Sequence, residues 1–169
     1  MGRDIKHIVI HCTATPQSAT LESISNYWHN VLGWKTGGYH KMVFPDGGIV
    51  DLYPLAVVTN GVKGFNSNSV HISYVGGIDA KGSAVDNRTP EQKESLLRAI
   101  KDVYEELSVH QEVGHILIRG HRDFSPDKNG NGVVDAWERL KECPCFEVVD
   151  EYGWIQGTEA LNSKRLVYK

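Results

Sequence analysis

The sequence predicts an α/β fold in which a mixed central β-sheet is flanked by helices and presents functional groups in a groove at its strand ends. Three observations lead there. Short apolar runs rich in β-branched residues recur at 7–11, 70–75 and 114–119. Segments with helical spacing lie among them, and a run bounded by turn residues reads as a hairpin. Histidines stand where strands end, and α/β domains commonly deliver their chemistry from strand ends to loops.

Taken in order, residues 7–11 form a buried strand ending at His11. After a loop through Pro16, residues Leu21, Ile24, Trp28, Val31 and Leu32 fall at helical spacing, and Gly33 follows as a stop. Residues 39–44 and 48–52 flank Pro45-Asp46-Gly47, a hairpin turn. A polar loop leads to the strand at 70–75. Thr89-Pro90-Glu91-Gln92 is the clearest helix start, with Thr89 as N-cap, Pro90 at the first helical position and Gln92 closing a capping box. That helix runs to about Leu107 with Leu96, Leu97, Ile100, Val103 and Tyr104 on its apolar face. A strand at 114–119 leads to Gly120-His121, a polar loop, a short helix through Leu140 and the segment Cys143-Pro144-Cys145.

The chain's 169 residues suit one domain spanning 1–169, with residues 150–169 as a packed tail. An apolar share of 40% and a charged share of 23% exclude a disordered, collagen-like or coiled-coil chain. A net charge of −3 without any Lys/Arg block gives no nucleic-acid footprint. The apolar runs fall far short of the ~20 residues a membrane span requires. The N-terminus has no hydrophobic signal-peptide core, so synthesis in the cytoplasm is expected. A monomer is expected too.

The cysteines are Cys12, Cys143 and Cys145. Only Pro144 separates the last two, which disfavours a strain-free bridge and turns attention to metal binding. His11 ends one strand, His121 follows another, and Cys143 lies in a segment stiffened by proline. Two imidazoles and a thiolate are a recognised catalytic zinc set that leaves the fourth position open. His7 cannot easily share that metal, since four strand residues span roughly 13 Å.

A wider pattern adds to this spacing. Ile8-Val9-Ile10-His11-Cys12-Thr13-Ala14-Thr15, Gly38-Tyr39-His40, Gly64-Phe65-Asn66 with Asn68-Ser69-Val70, Val75-Gly76-Gly77-Ile78-Asp79, Arg119-Gly120-His121 and Lys141-Glu142-Cys143-Pro144 with Phe146 occur in that order. Together they resemble the zinc-dependent N-acetylmuramoyl-L-alanine amidases of the amidase-2 type, over about residues 5–148. That family includes the amidase lysozymes of T-odd coliphages and the peptidoglycan recognition proteins.

The resemblance implies cleavage of the amide between N-acetylmuramic acid and L-alanine in peptidoglycan or muropeptides. It also implies zinc on His11, His121 and Cys143, with Tyr39 and Lys141 as active-site residues. Cys143 is preferred to Cys145 because its distance from Lys141 and its following proline match the family pattern. Asn66 and Ser69 would line the peptide groove, or simply serve the turn before the next strand. Many members carry a histidine just before the Lys-Gly-aromatic-Asn stretch, where this chain has Asn60-Gly61-Val62. The alternative function is a recognition protein that binds peptidoglycan without cutting it. The biological setting stays open between a phage-type lysin, a delivered effector and a cytoplasmic recycling enzyme.

Residues 127–138 fit the twelve-residue EF-hand loop. Asp127, Asn129 and Asn131 take positions 1, 3 and 5, Gly132 the turn and Val133 a carbonyl ligand. Asp135 takes position 9 and Glu138 the bidentate carboxylate. Calcium is the expected ion, pinning the loop that carries Lys141 and Cys143. The bland reading is a solvated loop of Asn-Gly turns.

Overall fold

Strand β1 (His7–Cys12) is an interior strand of a five-stranded sheet, with one strand beyond it on one side and three on the other. A computed structural model describes residues 1–157 of the protein, so Leu166, Val167 and Tyr168 of the expected tail lie outside the described residues. The other strands are β2 (Lys41–Val43), β3 (Ile49–Asp51), β4 (Ser69–Tyr74) and β5 (Leu117–Gly120). β1 pairs in parallel with β4 and β5, β2 in parallel with β4, and β2 antiparallel with β3, which makes the sheet mixed as expected.

Period-two alternation gives the central strands two unlike faces. Ile8 and Ile10 of β1 join Val70, Ile72 and Tyr74 of β4 in one core with Leu96, Ala99, Ile100, Val103 and Leu107 of the long helix. Full burial of each such side chain is worth about 1.5–3 kcal/mol. On the intervening positions stand His7, Val9 and His11 of β1 and Ser69, His71 and Ser73 of β4. This second face is polar yet largely buried.

The long helix, α2, spans Pro90–Ser108, after a first helix α1 at Leu21–Asn26. Its expected capping box is present: the Gln92 amide donates to Thr89 Oγ1 at 3.0 Å and the Thr89 amide donates to Gln92 Oε1 at 3.0 Å. Gln92 also donates from Nε2 to the carbonyls of Val43 and Val75, tying helix to sheet.

α1 departs from expectation. After Asn26 the helix widens into a π turn, Tyr27–Val31, with the Leu32 amide donating to the Tyr27 carbonyl. The wider turn shifts the register after Trp28, so Val31 and Leu32 face solvent although the spacing put them on the apolar face. Trp28 stays buried because Gly37 admits its ring: a Cβ at 37 would lie 2.5 Å from the indole. The expected helix through Leu140 is only a single 3-10 turn, Ala136–Glu138. A short helix α3, Val148–Tyr152, packs against β5.

Candidate metal centre

The expected metal set converges. His11 is the last residue but one of β1 and is 1% exposed. His121 opens a 3-10 turn directly after β5, closed by the Gly120 amide donating to Asp123 Oδ2 at 2.7 Å. Cys143 arrives from the far end of the 122–142 loop, and the Arg122 amide donating to the Cys143 carbonyl at 2.9 Å ties its segment to that of His121. Gly120 permits this approach, since a Cβ there would meet Pro144 Cδ at 2.9 Å. One ligating atom from each of His11, His121 and Cys143 lies within 4.8 Å of the others. The His11 and His121 rings stand 4.9 Å apart, and His11 Nδ1 is 3.9 Å from Cys143 Sγ.

The residues fit a zinc ion. Tetrahedral bonds of about 2.0–2.3 Å require donors within a few ångströms of one another, and imidazoles must be neutral to donate. Burial, with His71 and His121 beside it, holds the His11 pKa well below its ordinary value. Burial and then Lys141 bring His121 down to about 4. The Cys12 amide donates to Cys143 Sγ at 3.2 Å and fixes where the sulfur sits.

Cys145 takes no part in this group. The Cys145 amide donates to the Glu142 carbonyl, and the turn sends its Sγ toward the Gly77 carbonyl at 3.6 Å. An extended segment would have pointed Cys143 and Cys145 to the same side; this turn separates them. The contact with Cys143, helped by burial, lifts the Cys12 thiol to about 12 against an opposing contact with Cys145, so it stays a packed thiol. His7 is also apart, its ring lying edge-on to Phe65 and Phe124.

Tyr39 lies against the centre, its ring 5.1 Å from that of His11 and its hydroxyl donating to the Cys12 carbonyl at 3.3 Å. Burial, then Cys143 and Cys12, raise its pKa, so it remains a phenol that donates. Lys141 is exposed, two residues before Cys143, and its charge lowers the pKa of both His11 and His121.

Asn66 and Ser69 part company. Ser69 is fully buried, with its carbonyl taken by Arg3 Nη2 at 2.6 Å, so it has no surface to offer a substrate. Asn66 is half-buried, and its Oδ1 accepts from the Val62 amide at 2.8 Å and pairs with His71 Nε2 at 3.0 Å. His71 itself lies 2.9 Å from His11 Nε2. Spacing alone did not single out His71. The signal lay in β4, where Ser69, His71 and Ser73 alternate with Val70, Ile72 and Tyr74.

The 127–138 loop is held by its own side chains. Asp127 accepts from the Gly130 and Gly132 amides, and Glu138, 1% exposed, accepts from those of Lys128, Asn129 and Asp135. Asn129 and Asn131 both donate to Asp135 Oδ2. The carboxylates of Asp127, Asp135 and Glu138 do not form a close ligand group of the kind made by His11, His121 and Cys143.

Two imidazoles and a thiol at the strand ends of a mixed sheet make a donor set of the kind that catalytic zinc sites use. The chain belongs to the N-acetylmuramoyl-L-alanine amidase family, whose model matches residues 1–145, and it is an amidase. The endolysin of Klebsiella phage KP32 is 34% identical over 164 residues, covering 95% of this chain and 92% of its own length. The Ph2119 endolysin, from a bacteriophage of Thermus scotoductus MAT2119, shares the fold with a TM-score of 0.65 at 22% identity, covering 89% of this chain and 86% of its own. Peptidoglycan recognition protein-LE, solved in complex with tracheal cytotoxin, matches with a TM-score of 0.61 at 19% identity, over 92% of this chain and 81% of its own. Among the described residues, no helix is long and apolar enough to cross a membrane.

Proposed function

We propose that the protein hydrolyses the amide between N-acetylmuramic acid and L-alanine of peptidoglycan or muropeptides, with zinc held by His11, His121 and Cys143. The convergence of those donors at the strand ends is the observation that carries this reading. Zinc bound there supplies Lewis-acid polarisation and a water of lowered pKa.

The chain's own groups then divide the remaining work. Buried, neutral His11 and His121 keep their lone pairs available for ligation. Tyr39, held as a phenol, donates a hydrogen bond to the oxygen on which negative charge develops. Lys141 adds a positive charge from the rim of the same site. Asn66 offers its amide nitrogen as a donor to the stem peptide, while its oxygen is occupied by Val62 and His71.

Calcium in the 127–138 loop belongs to the same proposal. Its support is the match to the EF-hand pattern and the meeting of Asn129, Asn131 and Asp135 side chains, at loop positions 3, 5 and 9. Its role is to hold the segment that leads to Lys141 and Cys143.

Metal analysis of protein purified without added metal, combined with muropeptide digestion by wild type and Cys143→Ser, tests the reading. One zinc per chain, with new L-alanine amino ends for wild type only, is expected. The second reading is a recognition protein that binds without cleaving, favoured by the fold shared with peptidoglycan recognition protein-LE. Zinc and muropeptide binding without cleavage would establish it instead.

A further inference from the structure

We propose that His71 is a positioning residue for the metal centre: from β4 it fixes which nitrogen of His11 carries the proton, and so turns the Nδ1 lone pair toward Cys143. This rests on the reading of His11 as a zinc ligand through Nδ1.

The polarity of the chain of hydrogen bonds is set at its far end. The Val62 amide can only donate, and it lies 2.8 Å from Asn66 Oδ1, which fixes that atom as the amide oxygen. The same oxygen is 3.0 Å from His71 Nε2, so Nε2 carries a hydrogen. His71 is fully buried without a carboxylate beside it, and a neutral ring with Nε2–H has an accepting Nδ1. His11 Nε2 stands 2.9 Å from that Nδ1 and therefore donates. The His11 proton is thus on Nε2, which leaves Nδ1 bare, 3.9 Å from Cys143 Sγ. A backbone amide 51 residues away in sequence sets the tautomer of the metal-facing ring (62 − 11).

The His71 ring is seated for this task from two sides. Its backbone amide donates to His40 Nδ1 at 3.0 Å, its carbonyl accepts from the His40 amide at 2.8 Å, and the two rings stack. His40 is pinned in turn, with Nε2 2.8 Å from the Val57 carbonyl. On the other side the backbone at Gly61 covers the ring so closely that a Cβ there would lie 2.3 Å from His71 Nδ1. Ligand imidazoles whose second nitrogen is held by an acceptor are better oriented and more basic, and loss of the acceptor typically costs about 10–100-fold in metal affinity.

The test compares wild type, His71→Leu and His71→Asn by two readouts. One is zinc affinity from competition with a chelator, with a thermal melt of each metal-free protein to confirm folding. The other is the ring tautomer of His11 in the metal-free protein, from imidazole nitrogen NMR. His71→Leu is expected to weaken zinc by about 10–100-fold and to lose the Nε2–H preference of His11. His71→Asn places an amide oxygen near the Nδ1 position and is expected to restore most of both.

A Leu variant that equals wild type in either readout overturns the proposal, as does an Asn variant as weak as Leu, which would reduce His71 to packing. Should the Leu variant not fold, the His11 tautomer in wild type and the Asn variant decides, an Nδ1–H form refuting the idea. Failure of wild type to bind zinc overturns the ligand reading alone, because the metal-free tautomer still judges His71.

Discussion

The strand-end centre and the 127–138 loop both gather polar groups, but by opposite means. At the centre, His11 and Cys143 are 132 residues apart and are brought together by β1, β5 and the turn at 142–145. In the loop, Asp127 and Gly132 are five apart, and the backbone is folded over its own carboxylates. One site is shaped by the sheet, because parallel pairing and a buried polar face leave His11 a single place. The other is shaped by groups that a cation would have to recruit from their present partners. The sheet supplies preorganisation, and the loop supplies a local fold whose ion is the open variable.

Lys141 sits where these regions meet and gives the largest expected effect. Lys141→Ala should lower kcat on muropeptides by about 10²–10³-fold, the usual loss of one donor to developing negative charge. Zinc content should stay at wild type. A loss of zinc together with rate would move Lys141 from the reaction to the architecture of the loop.

The loop's dependence on its own carboxylate comes next. Glu138→Ala strands the amides of Lys128, Asn129 and Asp135. Unsatisfied buried groups cost about 1–3 kcal/mol each, and partial access to water puts the expected loss near 3 kcal/mol by chemical denaturation. An unchanged midpoint would mean that the loop unfolds independently of the sheet.

Acid should weaken the sheet side. Burial holds His40 at about 4 when folded, against about 6.5 in the unfolded chain. As pH falls below 6.5 the unfolded state takes up the proton first, so stability present at neutral pH is lost toward pH 4. At pH 5 this one ring accounts for about 2 kcal/mol, and His7, also near 4, acts in the same direction. Thermal unfolding of the metal-free protein at pH 7 and pH 5 measures it, and a flat profile would contradict neutral buried rings.

Calcium gives the smallest effect. At tenfold its dissociation constant it should stabilise the wild type by about 1.4 kcal/mol. Asp127→Ala should abolish the increment, and a rise that survives this change would locate the ion elsewhere.

Much was written in local sequence. The Thr89 cap, the hairpin at Pro45-Asp46-Gly47 and the central strands follow from capping chemistry, turn residues and apolar period, which act over a few residues. The convergence of His11, His121 and Cys143 was legible because the two histidines flank strand ends and Cys143 stands in a patterned segment. The π turn at Tyr27–Val31 was not, and neither was the packing of Trp28 within it on a distant Gly37.

The departure at Asn60-Gly61-Val62 was visible in the sequence as well, but its meaning was not. Only the register of β1 with β4 puts His71 on the face of His11, and only the closeness of the Gly61 backbone shows what its missing side chain leaves room for. By itself the sequence determined which elements form and which residues could ligate, because those depend on neighbours along the chain. The tertiary structure decided which cysteine joins the imidazoles, that Ser69 is buried, and which His11 nitrogen faces Cys143. Hydrogen-bond direction and burial depend on neighbours in space.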